Sequence, residues 1–298
     1  MSAKALRSAQ TLRTITLTVL ALIAFAGNSV LCRLALKSDA IDPTSFTLLR
    51  ILSGAAFLAA LVFVTQRTSE ASKKPPISSG NWPSAIALFT YAAGFSFAYI
   101  TMDTGAGALV LFGFVQLTMI LISLYKGTRL SLGEWSGGFM AFAGLAYMLA
   151  PGADAPSLMS FTLMAAAGVA WGVYTLRGKG SSAPLADTCG NFIRASVAAV
   201  GLSAIMLMLP DSDIHLNADG ALLALASGIL ASGAGYAIWY TVLPKLDVSR
   251  AAVIQLSVPV IAALGGVIFS GEPITQTFMI ASILVLGGIL LVIISRNR

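Results

Sequence analysis

Apolar residues run through this chain in long, nearly unbroken blocks rather than in the alternation of a half-exposed strand or the stripe of a surface helix. Reading between charged breaks and Pro- or Gly-rich breaks gives ten blocks, at 14–36, 44–65, 83–103, 105–125, 131–150, 157–177, 186–209, 219–243, 249–270 and 274–295. A helix needs about 20 mostly apolar residues to cross a hydrocarbon core about 30 Å thick, so each block predicts one transmembrane helix. The blocks take up most of the chain and leave connections of a few residues. The longest connection, QRTSEASKKPPISSGN from Gln66 to Asn81, reads as a solvated loop. No remaining segment is large enough to bury a water-soluble core. The predicted fold class is an all-α integral membrane protein with ten transmembrane helices.

Composition agrees with this pattern. Of 298 residues, 57% are apolar and 10% charged, and the mean hydropathy is +0.87. An ordinary soluble domain is about 25% charged. The first block begins like a secretory signal, with Lys4, Arg7 and Arg13 before an apolar stretch containing Ala24-Phe25-Ala26. Its apolar run continues to Leu36, so an ordinary first transmembrane helix is expected. Cys32 and Cys189 both lie inside apolar runs, which leaves no disulfide framework and no paired-cysteine metal site.

The positions of the basic residues set the expected orientation, because Lys and Arg in short loops favour the cytoplasm. With the N-terminus inside, Lys4, Arg7, Arg13, Arg67, Lys73, Lys74, Lys126, Arg129, Arg177, Lys179, Lys245, Arg250, Arg296 and Arg298 fall on the cytoplasmic side. Arg33 and Lys37 alone lie near the opposite ends, where the connections instead carry Asp39, Asp42, Asp154, Asp211, Asp213 and Asp219. Ten crossings return the C-terminus to the cytoplasm. The net charge of +6 is thus a topology signal, and nucleic acid drops out as a partner.

Compared with itself, the chain repeats at an offset of 144 residues. Arg33 with Arg177, Arg50 with Arg194, Gly127 with Gly271, Leu130 with Ile274, Ser131 with Thr275 and Gly144 with Gly288 keep this spacing. Each half, 1–150 and 151–298, contains five predicted crossings. An odd number inserts the second half upside down relative to the first, as in secondary transporters built from inverted repeats around a midplane site.

The stretch SRAAVIQLSVPVIAALGGVIFSGEPITQTFMIASILVLGGILL, from Ser249 to Leu291, carries a mid-helix Pro259, then Gly271-Glu272, then a glycine-rich last helix. With Arg50 and Arg194 in helices 2 and 7, this pattern resembles the EamA branch of the drug/metabolite transporter superfamily across essentially the whole chain. The overall pattern is similar to YddG-type exporters of aromatic and other amino acids. The resemblance implies two inverted five-helix repeats, a bacterial inner membrane location and substrate binding between the halves. The first half departs from the pattern, with Val115 in the register of Pro259 and Thr128 in that of Glu272.

Polar side chains inside a membrane tend to face a cavity or a partner. Asn28, Gln116 and Gln255 are amides near the midplane of helices 1, 4 and 9. They suit a substrate carrying both ammonium and carboxylate, or they serve as glue between helices. Aromatic residues gather at helical spacing: Tyr91, Phe95 and Tyr99 on helix 3, Trp171 and Tyr174 on helix 6, and Tyr236, Trp239 and Tyr240 on helix 8. Interfacial belts account for Tyr240 and Trp239, while Tyr91 and Trp171 lie well inside their blocks and suit a cavity wall. The expected substrate-binding set is Asn28, Tyr91, Tyr99, Gln116, Trp171, Tyr174, Tyr236, Trp239 and Gln255.

Arg50 and Arg194 either snorkel to the nearer surface or act as gate cations on opposite sides. Pro259 removes one backbone hydrogen bond and makes helix 9 the hinge candidate, with Gly265 and Gly266 as a small-residue face beyond it. Gly137, Ala141, Gly287 and Gly288 on helices 5 and 10 serve packing within the chain or a dimer contact.

No P-loop is present, and the sole histidine, His215, falls in an outer loop, so no catalytic or metal cluster is expected in the membrane. No cofactor is implied. Neither Asp nor Glu sits near a midplane; Asp103 and Glu272 lie at helix ends, and proton coupling stays open. The expected activity is export of amino acids and related small metabolites by alternating access, not enzymatic turnover. The alternative is a multidrug or other metabolite exporter, and the assembly is a monomer or homodimer in the bilayer.

Overall fold

The computed structural model describes residues 3–68, 79–127, 129–150, 155–179, 181–210, 213–243, 246 and 254–296. Of the positions used above, Lys73, Lys74, Thr128, Asp154, Asp211, Lys245, Ser249, Arg250 and Arg298 lie outside these residues, as does most of the Gln66–Asn81 connection. The side chains of Lys4, Arg7, Arg67 and Arg296 lie outside the description as well.

Ten helices follow one another: α1 (Ala3–Lys37), α2 (Pro43–Thr68), α3 (Trp82–Ala98), α4 (Thr104–Tyr125), α5 (Leu132–Tyr147), α6 (Leu158–Gly178), α7 (Pro184–Met208), α8 (Ala218–Val242), α9 (Ser257–Ser270) and α10 (Gln276–Arg296). Seven are long and apolar enough to cross a membrane by themselves. The other three, α3, α5 and α9, span only about 26, 24 and 21 Å at 1.5 Å per residue. The chain continues past the end of α3 as a turn in which Tyr99 and Met102 are buried.

Local chemistry sets the helix ends. Asp42 accepts from the Thr44 and Ser45 amides at the start of α2, and Asn81, Ser157 and Asn217 accept likewise at the starts of α3, α6 and α8. Ser131 and Glu134 form a reciprocal capping box at α5. Gly271 ends α9 in the left-handed region at φ 61°.

The packing is that of two inverted halves. Exchanging each helix for the one five places on turns every major contact between the halves into another one that is present. α3 packs on α6 as α8 does on α1; α4 packs on α6 as α9 does on α1; α2 packs on α8 as α7 does on α3. The pairs α2–α7, α4–α9 and α5–α10 are their own mates and lie on the pseudo-two-fold axis. The last is a backbone seam. A side chain on Gly137 would meet the Gly288 carbonyl and Val292, and one on Gly288 would meet the Gly137 carbonyl and the Ala141 amide. These small residues therefore serve packing within the chain.

Two expectations need correction here. The block 83–103 ends as helix at Ala98, and residues 99–102 turn out of it. Pro259 is not in the middle of a helix. Helical structure breaks at Leu256, and Pro259 sits in the first turn of α9, where a missing N–H leaves no bond unmade.

On the face opposite the termini, the α1–α2 and α7–α8 connections are tied together. Ile41 pairs with Leu216, and His215 donates its amide to Asp42 while its ring approaches Asp39 at 3.1 Å and Asp213 at 3.5 Å. Slight burial pulls the His215 pKa down. The Asp213 carbonyl and the carboxylates of Asp39, Asp213 and Asp42 outweigh that pull, and the net direction is upward.

Candidate functional site

Between the halves lies a cavity of about 280 Å³, lined by α1, α3, α4, α6, α8 and the approach to α9. It extends to Lys179, Leu243 and Leu246, beyond the ends of α6 and α8 on the face that carries both termini. Its walls are aromatic. Trp171 contacts Tyr91, Tyr174 and Tyr236 at centroid distances of 4.8, 5.3 and 5.1 Å, and Phe25 meets Tyr236 and Trp239 edge-on at 5.9 and 5.7 Å. Gly168 and Gly172 set the rotation of α6 that presents Trp171, since side chains there would strike the Leu111 carbonyl and Thr118 of α4. Gln116 and Gln255 stand in the wall without a hydrogen bond to protein among the described residues.

A polar network closes the deep end. Asn28 donates to the Tyr91 hydroxyl at 3.1 Å and accepts from Ser227. Arg50 donates from Nη2 to the same hydroxyl at 2.9 Å and lies over the Tyr91 and Phe95 rings at 5.0 and 4.9 Å. Its Nε is 3.4 Å from Ser232 Oγ, and its Nη1 has no partner among the described residues. Ser227 and Ser232 lie in a π-helical segment of α8, Ser227–Ala234, an arrangement that often marks functional sites. This segment presses on α2. A side chain on Gly228 would meet Ser53 and the Arg50 carbonyl.

On the opposite face an ion-pair cluster seals the space beyond Arg50. Arg33 Nε donates to Glu272 Oε1 at 2.9 Å, and its Nη2 lies 3.3 Å from Asp103. Its Nη1 donates to the carbonyls of Tyr99 and Ile100 at 3.1 and 2.8 Å, which satisfies acceptors left open where α3 ends. Glu272 Oε2 accepts from the Thr104 amide at 2.8 Å, at the start of α4. The Arg33 and Glu272 side chains are 8% and 5% exposed. Two glycines make this possible: Gly271 turns the chain back so that the Glu272 amide reaches the Gly266 carbonyl, and Gly266 leaves room for the Glu272 carboxylate. Lys37 adds a bond to the Ser270 carbonyl at 2.7 Å.

Seven residues singled out from sequence line the cavity: Asn28, Tyr91, Gln116, Trp171, Tyr236, Trp239 and Gln255. Tyr99 and Tyr174 do not. Tyr99 is wholly buried beyond the end of α3 and donates to the Thr104 carbonyl at 3.1 Å. Tyr174 lies behind Trp171, against a separate small void bordered by Asp187, Thr188 and Asn191. Arg50 reaches neither surface, being 2% exposed. Arg194 donates to the Ser79 carbonyl at 2.6 Å, fastening α7 to the chain before α3. The Arg33–Asp103–Glu272 cluster did not emerge from sequence. Its signal was the exception that Arg33 and Lys37 made to the basic side of the protein.

Residues 12–150 and 158–294 each match the EamA-like transporter family. The chain is 48% identical over 284 residues to the uncharacterized protein PA1977 of Pseudomonas aeruginosa, covering 95% of this chain and 96% of that protein. An uncharacterized transporter of Archaeoglobus fulgidus is 30% identical over 203 residues, 66% of this chain and 70% of that one. A solved crystal structure that is 21% identical superimposes with a TM-score of 0.62 over 94% of this chain and 99% of the other, a likeness of fold alone. With its ten helices in two inverted sets of five and both halves matching the same model, the chain belongs to the EamA-like transporter family.

Proposed function

We propose that this transporter exports amino acids, aromatic ones among them, and related small metabolites from the cytoplasm across a bacterial inner membrane by alternating access. The observation that carries this reading is the cavity. It is about 280 Å³, near the lower end for small-molecule sites. Its aromatic walls suit stacking, and the free amides of Gln116 and Gln255 offer donors and acceptors together. In this conformation it extends toward the face of the termini and is shut from the other by the Arg33–Asp103–Glu272 latch. The basic connections favour cytoplasmic termini, and in that orientation the cavity loads from inside. Release follows when the latch parts and the terminal face closes. The break at Leu256, just before α9, gives the chain a point at which to bend.

Purified protein in liposomes preloaded with labelled amino acids tests the substrate, and counterflow tests the cycle. Transient accumulation of label against unlabelled substrate is expected. Absence of transport or competition by any amino acid overturns the substrate reading and leaves a drug or other metabolite exporter of the same family. Transport without counterflow overturns alternating access.

A further inference from the structure

We infer that the transported molecule carries a carboxylate, and that Arg50 receives it at the deep end of the cavity. This rests on the cavity being the transport site and adds the charge class of what it takes. Arg50 is fixed about 10 Å inside α2 from the end nearest the latch and is 2% exposed. A guanidinium stays charged at any physiological pH, and a buried charge normally has a counter-charge. Here it has none. Among the described residues no Asp or Glu pairs with Arg50; its neighbours are two aromatic faces, a phenol and a distant serine hydroxyl. Nη1 is an orphan donor.

The arrangement around it is that of an anion site held by a neutral stand-in. Two donors, Arg50 Nη2 and Asn28 Nδ2, converge on one oxygen, the Tyr91 hydroxyl. Tyr91 belongs to the cavity wall, and so does Phe95, over which the guanidinium lies. A carboxylate arriving from the cavity is a stronger acceptor than a phenol for both donors, and it offers a second oxygen to the unused Nη1. Displacing the Tyr91 hydroxyl opens the way. The rest of the described wall agrees in sign: among the described lining residues Lys179 is the one that is charged, and none is Asp or Glu. A cation brought to this place meets a buried guanidinium with nothing to offset the repulsion, so cationic amines are excluded.

A matched ligand series on the intact protein, followed by substitutions at Arg50, tests this. Binding and liposome counterflow are measured for L-phenylalanine, 3-phenylpropionate, phenethylamine and L-phenylalaninamide, with a panel of other aromatic and aliphatic carboxylates lacking the amino group. The two phenyl carboxylates are expected to bind, and the two amines are not. In Arg50→Gln the carboxylates weaken about 10- to 150-fold, the range of a charge-assisted hydrogen bond, while Arg50→Lys retains part of the affinity. If phenethylamine binds as well as phenylalanine, or if folded Arg50→Gln keeps wild-type affinity for it, the inference fails and amino acid transport can still stand. If only carboxylates without an amino group bind, and Arg50→Gln abolishes it, Arg50 keeps its role and the amino acid reading fails. If no carboxylate binds, both are overturned.

Discussion

Neutralising Glu272 removes the one carboxylate that both pairs with Arg33 and caps α4. In Glu272→Gln the side chain keeps its shape, but its single oxygen cannot serve both Arg33 Nε and the Thr104 amide, which lie 2.9 and 2.8 Å from the two carboxylate oxygens. One donor then faces an amide NH2. Arg33 retains Asp103, at 3.3 Å and half exposed, a weaker partner. Removing one member of a buried pair costs about 3–5 kcal/mol. Taking about 3 kcal/mol because Asp103 remains, the balance between latched and unlatched states shifts about 150-fold. Native Cys32 reports this shift. It lies one turn from Asn28 toward Arg33 and is wholly buried while the latch is closed. In a Cys189→Ser background, a membrane-impermeant maleimide applied to the face opposite the termini is expected to label Cys32 about 100-fold faster in Glu272→Gln. Transport slows, because one limb of the cycle has lost its closed end. Unchanged labelling together with a lowered melting temperature would mean that the pair only holds the fold, and the latch reasoning would be wrong.

Three further outcomes follow from the geometry. Gln116→Ala and Gln255→Ala each raise the apparent Km about 2- to 13-fold, one net hydrogen bond, and Trp171→Ala raises it by about tenfold or more; wild-type kinetics in all three place the site elsewhere. Gly288→Leu prevents α5 and α10 from meeting and yields aggregated protein on size-exclusion chromatography, whereas Gly138→Ala, with open space around it, elutes as wild type; equal behaviour of the two refutes the seam. His215, with its raised pKa, stabilises the fold fully below its unfolded value of 6.5, and that contribution disappears as pH rises through the folded value. The melting-temperature deficit of His215→Ala is therefore larger at pH 6 than at pH 8.5, and a pH-independent deficit counts against the role of its carboxylate neighbours.

Hydropathy reads the helices well because each must satisfy its own backbone in lipid, so length and composition suffice. The ends of α3 and α9 were harder. Both depend on what tertiary contacts complete: Arg33 takes the carbonyls freed at Tyr99 and Ile100, which lets α3 stop early at no loss. Aromatic spacing located Tyr91 and Trp171 in the wall, but a helical face continues past the cavity it lines, as Tyr99 does, and a three-residue step can turn a ring behind its neighbour, as Tyr174 does. Arg50 was ambiguous because one sequence position is compatible with snorkelling and with burial; the aromatic faces that hold it belong to α3. The latch was invisible for a related reason. Its three charges sit at the ends of different helices, and no repeat offset or local motif links them.

The glycine seam between α5 and α10 gives the molecule a bearing. Ridged helix faces interlock, so turning one against the other means lifting side chains out of grooves. At Gly137 and Gly288 the ridges are at their lowest; backbone lies against backbone on the pseudo-symmetry axis, with Val292 beside it. Neither helix contributes to the cavity wall. In the proposed cycle this contact is the place about which one half would pivot on the other, and the work of each stroke would be concentrated at the far side, where the latch and the aromatic walls part and rejoin.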